Sequence, residues 1–177
     1  MRVEEILGID PGIGCTGYGV VQSGAGGCLA LKTFGEIRTA PGDPFPRRLK
    51  ALFDGLIAVV SRDAPTQVAI EETFLARNFQ AALKLGQARG VALLVAEIHR
   101  LPVFEYSPTA VKVAVVGYGR ASKDQIGVMA RRILNLPAET QMGEHAADAL
   151  AIAVCHAHSA GLLEKMGASC APRITPR

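Results

Sequence analysis

No uninterrupted apolar run of about 18 residues occurs in the chain, the length at which a bilayer-spanning helix becomes the natural reading. No basic-then-apolar leader opens it either, so the expectation is a soluble, unexported, cytoplasmic protein. Cysteine is scarce: Cys15, Cys28, Cys155 and Cys170 form no Cys-x-x-Cys pair. Small secreted disulfide scaffolds are denser in cysteine, and reduced thiols fit better here. No Gly-Lys-Ser/Thr follows the early glycines, which removes a Walker phosphate loop. There is no internal repeat and no low-complexity linker. With 177 residues the chain has room for one domain with a real core and not for two substantial ones.

What is present is an ordered alternation of apolar periods. Residues 3–10, 16–21 and 28–37 read as three strands joined by glycine-rich turns. Apolar positions from Phe45 to Val60 recur at three- and four-residue spacing, which makes an amphipathic helix. A short buried strand at 67–70 with Glu71 following, a long helix at 78–99 and a strand at 102–106 come next, then helices at 108–116 and 122–134 and a last one from about Gly143. The order β-β-β-α-β-α-β-α-α-α predicts an α/β protein, with an antiparallel meander followed by parallel crossovers and a sheet flanked by helices. Residues 1–163 form the predicted domain; 164–177 have little periodicity and read as a mobile tail.

Gly12, Gly14 and Gly17 spell G-x-G-x-x-G after a strand, with Glu36 at the distance of a ribose-binding acid. That motif requires a helix to open on its glycines. Here "TGYGVV" continues as a strand, so the glycines instead predict a tight hairpin that leaves Asp10 exposed at a strand end.

Asp10 and Glu71 both end apolar strands, and either alone could be a turn or cap residue. His145 and Asp148 stand three apart in "GEHAADALAIA" and share a face of the first helical turn. Glu144 fits a capping acid favoured by the helix dipole. Three carboxylates brought together repel one another unless a cation compensates them. Hard oxygen ligands select Mg²⁺ or Mn²⁺, and two ions about 4 Å apart can activate a water and stabilise a leaving oxygen at a phosphodiester. The net charge of +3 is small. Between Ser107 and Asn135, however, Lys112, Arg120, Lys123, Arg131 and Arg132 face Asp124 alone, a footprint for a polyanion.

"GIDPG" with "TGYGV", "AIEETF", "ALKLGQARG", "PVFEYSP", "VVGYGRASKDQI" and "HAADALAIA" together resemble the RuvC Holliday-junction resolvases, nucleases of the ribonuclease H-like fold. The resemblance runs to about Leu163 and implies a mixed five-stranded sheet and a homodimeric endonuclease. It implies paired nicks in a four-way DNA junction, with 5′-phosphate and 3′-hydroxyl ends and two Mg²⁺ or Mn²⁺ per active site. Asp10, Glu71, His145 and Asp148 match the family's metal-binding catalytic set. His145 stands where some members have aspartate, and a nitrogen ligand suits Mn²⁺ better than Mg²⁺. Lys112 and Lys123 match residues that face DNA phosphates. Phe74, with Arg77 beside it, matches an aromatic that can stack on an unpaired base. Similar resolvases act with the RuvA and RuvB branch-migration proteins.

Two further features stand apart from these motifs. Gly86 and Gly90 lie four apart on the long helix, where glycine costs about 1 kcal/mol relative to alanine. Close approach of another backbone would explain them, from the same subunit or across a two-fold axis, and the resemblance places this region near the dimer interface. Cys155, His156 and His158 form a soft-ligand cluster with no visible fourth zinc ligand, and are assigned to ordinary helix positions. Rival functions are cleavage of an RNA:DNA hybrid or flap, a nucleotide-binding actin-like fold, and junction binding without cutting.

Overall fold

The computed structural model describes residues 3–24, 27–72, 79–137 and 139–165. Strands β1 (Glu4–Asp10), β2 (Cys15–Ser23), β3 (Leu29–Arg38), β4 (Gln67–Glu71) and β5 (Val103–Tyr106) form one sheet in the order β3-β2-β1-β4-β5. The first three make the expected antiparallel meander, with Asp10 opposite Gly17 across the hairpin. Strands β4 and β5 join parallel to β1 and to each other. Parallel neighbours need crossovers, which helices supply here.

Alternation along the strands divides the apolar residues between two faces. Leu7, Ile9, Val20, Val68 and Ile70 pack against α1 (Phe45–Asp63) and α2 (Phe79–Ile98). Ile6, Val21 and Ala69 pack on the other face against α3 (Pro108–Val116), α4 (Lys123–Ile133) and α5 (Glu144–Lys165). Helix starts follow their local chemistry. The Ser107 hydroxyl accepts the Ala110 amide ahead of Pro108, and Ser122 and Gln125 form a reciprocal capping box.

Helix α5 sits unusually deep. Its residues from Ala149 to Ala157 are almost all buried, which is why this helix is apolar on every side. Glycines admit it. A Cβ at Gly8 would overlap the Ala149 carbonyl, one at Gly17 the His145 carbonyl, and one at Gly19 the Leu150 side chain. Gly17, one of the three glycines that mimic a dinucleotide loop, therefore joins Gly8 and Gly19 in letting α5 lie directly on β1 and β2.

The last helix runs to Lys165, two residues beyond the predicted domain end, while residues 166–177 lie outside the described ones. Gly86 and Gly90 have no atom within 4 Å of an added Cβ among the described residues, so none of the described elements makes the close approach. Asp10 is not exposed: α5 covers it, and its side chain is 18% accessible.

Candidate functional site

Asp10 ends β1 and Glu71 ends β4. Because Ile9 and Ile70 are register partners on adjacent parallel strands, the two acids emerge side by side at one edge of the sheet. The first turn of α5 is pressed onto this edge through Gly17 and brings in His145 and Asp148. His145 Nδ1 and Asp10 Oδ2 share a hydrogen bond of 2.7 Å. Asp10, Glu71 and Asp148 line one pocket together with Lys112 of α3 and Lys123 of α4, against an apolar wall that includes Ile126 and Ile152. The four predicted ligands are thus gathered at one place, three in the pocket and His145 bonded to one of them.

The electrostatics are those of under-compensated acids. Burial is the main cause that pushes Glu71 up to about 7, with the charges of Asp10 and Asp148 adding to it and Lys123 and Lys112 opposing. Burial also raises Asp10, against the opposing hydrogen bond from His145. Lys123, expected to face DNA phosphate, instead donates to Asp148 Oδ2 at 2.9 Å and to Glu144 Oε1 at 2.8 Å. Those two bonds raise its own pKa and lower that of exposed Glu144. Glu144 is therefore an ion-pair partner of Lys123 as well as an acid in the first turn of α5.

Among the described residues no group of three His, Cys, Asp or Glu side chains is drawn together tightly enough to hold an ion. The donor set fits a hard divalent cation in kind. Three carboxylates and an imidazole lie at one sheet edge, one acid raised by burial and then by its like-charged neighbours, and another paired with the Lys123 ammonium. An ion would replace Lys123 on Asp148 and relieve the repulsion at Glu71.

Phe74 and Arg77, the expected base-stacking pair, lie outside the described residues. Two groups escaped the sequence reading. Glu36 does not reach a ribose: its carboxylate lies against Gly143, just ahead of α5, and pairs with Arg38. Burial raises its pKa, but the bond and charge of Arg38 outweigh this and leave it lowered. His156 is completely buried, with its Nδ1 2.6 Å from the Tyr106 hydroxyl. No local period announces the Glu36–Gly143 or the Tyr106–His156 contact, since each joins residues far apart in sequence.

The family model described as crossover junction endodeoxyribonuclease RuvC matches residues 6–156. A protein of that name from Pelotomaculum thermopropionicum is 50% identical over 153 residues, 86% of this chain and 92% of the relative. Another, from Shewanella amazonensis, is 49% identical over 172 residues and 97% of each chain. The structure of Thermus thermophilus RuvC in complex with a Holliday junction substrate superposes with a TM-score of 0.83 at 36% identity, covering 93% of this chain and 96% of that one.

Proposed function

The chain belongs to the crossover junction endodeoxyribonuclease RuvC family, with a ribonuclease H-like fold, and from that premise we propose that it resolves four-way DNA junctions as a metal-dependent endonuclease. It acts as a homodimer that nicks two opposed strands and leaves 5′-phosphate and 3′-hydroxyl ends. The observation that carries this reading is one pocket at the carboxyl ends of β1 and β4 that holds Asp10, Glu71 and Asp148 beside Lys112 and Lys123. A polyanionic substrate and a carboxylate cluster are compatible in so small a space only if cations join them.

Two Mg²⁺ or Mn²⁺ ions held by Asp10, Glu71, His145 and Asp148 would supply water activation and stabilisation of the leaving oxygen. The chain's own groups supply position and charge. Asp10 anchors His145 through Nδ1, which leaves Nε2 as the ring nitrogen available to an ion or a reacting water. Lys112 and Lys123 neutralise phosphates, and Lys123 moves from Asp148 to the substrate as it does so. Phe74 stacks on a base at the junction centre with Arg77 beside it. The setting is the cytoplasm, with RuvA and RuvB as partners in branch migration.

Asp10→Asn, Glu71→Gln and Asp148→Asn test the site. Each should bind a junction in chelator as the parent does, yet cut it more than about 100-fold more slowly in Mg²⁺ or Mn²⁺, beyond the loss usual for groups one shell further out. Parental cutting by any two of the three would overturn the assignment.

A further inference from the structure

His156 is the one histidine among the described residues with no accessible surface. Burial pushes its pKa down to about 4, so the ring is neutral at physiological pH. Its Nε2 has no hydrogen-bond partner among the described residues, and the ring packs tilted on Phe104 with centroids 4.3 Å apart. An apolar side chain would fill this space without leaving a nitrogen unsatisfied, so packing alone does not account for an imidazole here. The other ring nitrogen is engaged: Nδ1 and the Tyr106 hydroxyl are 2.6 Å apart.

Both ends of that bond lead to the site. Tyr106 is the register partner of Glu71 on the neighbouring strand, and the Glu72 amide donates to the Tyr106 carbonyl at 2.8 Å. Tyr106 also leads directly into Ser107, which caps α3, the helix that carries Lys112. On α5, Asp148, Ile152 and His156 follow one another at four-residue steps, so His156 lies two turns below Asp148 on the same face. Ile152 between them lines the pocket.

We propose that the Tyr106–His156 hydrogen bond is a strut that fixes α5 against the β4–β5 edge and so sets the spacing of Asp148 from Glu71, making both residues positioning residues for ion binding. The proposal rests on the reading of Glu71 and Asp148 as ion ligands. A hydrogen bond has a narrow length and direction, whereas the surrounding aliphatic contacts tolerate sliding; the bond therefore defines the register of the helix on the sheet. This is the kind of outer support that orients ligands without touching the ion.

The test is Mn²⁺ titration of the full-length protein by electron paramagnetic resonance, with thermal melting in parallel. Tyr106→Phe keeps the ring and removes only the hydroxyl; His156→Leu keeps the volume and guards against a folding failure in the first variant. The expected result is Mn²⁺ affinity reduced about 10-fold in either variant, junction binding in chelator unchanged, and a double variant no worse than either single one. Asp148→Asn serves as the reference. Parental Mn²⁺ affinity in folded Tyr106→Phe or His156→Leu, with affinity lost in Asp148→Asn, would overturn the strut alone. Parental affinity in Asp148→Asn would overturn the ligand assignment itself.

Discussion

Glu71 shows at the scale of one residue why the site is poised for a cation. Its carboxyl stands at about 7 against an ordinary 4.5, through burial and the charges of Asp10 and Asp148. A group whose folded pKa is raised above its unfolded value contributes stability that is complete below about 4.5 and lost as pH rises through about 7. Without divalent ions the melting temperature should therefore fall between pH 5 and pH 8, and Mn²⁺ should raise it more at pH 8 than at pH 5.5; a flat profile in chelator would contradict this. His145 makes a second residue-scale prediction. If its free nitrogen favours the softer ion, His145→Asp should lower the ratio of Mn²⁺-supported to Mg²⁺-supported cutting, measured side by side on one junction. The acids and this histidine were legible in the sequence because each ends an apolar strand or opens an apolar helix. The Tyr106–His156 bond and the approach of Glu36 to Gly143 ahead of α5 were not, because a contact between distant segments leaves no local pattern.

At the scale of elements, the site depends on how closely α5 approaches the sheet. Gly17 is the tightest point, since a side chain there would meet the His145 carbonyl. Gly17→Ala should cost about 1–3 kcal/mol in chemical denaturation through overpacking and reduce cutting further than the stability loss explains, because the turn that carries His145 and Asp148 is displaced. Unchanged cutting in that variant would show that the turn tolerates movement. Strand and helix identities followed from periodicity, and the structure adds that Ser107 and Ser122 cap α3 and α4. The purpose of the hairpin glycines did not follow. A glycine required by a turn and one required by an overlying helix look the same in one dimension.

At the scale of the molecule, α2 presents an unpartnered stripe. Phe79, Leu83, Leu94 and Ile98 are exposed large apolar residues at near-helical spacing, and Gly86 and Gly90 flatten the surface between them. Exposed apolar area of this kind marks an interface. In the proposed homodimer a second copy of the chain would cover it by two-fold pairing of α2 with itself, which would also supply two sites for two cuts. Leu83→Glu with Leu94→Glu should shift sedimentation at micromolar concentration from dimer to monomer and abolish paired cutting while leaving the fold intact by circular dichroism. Here the expectation of a two-fold interface came from the resemblance to the resolvases and not from the pattern, because a helix glycine does not reveal whether its neighbour belongs to the same chain.

The most direct measurement is cleavage of a labelled synthetic four-way junction beside a linear duplex of the same arm sequence, in Mg²⁺, in Mn²⁺ and in chelator, with Asp148→Asn alongside. The account predicts paired, ligatable nicks in the junction alone, dependent on the metal and absent from the variant. Tight junction binding without cutting in either metal would contradict it, leaving a junction-binding protein whose acids serve only the fold.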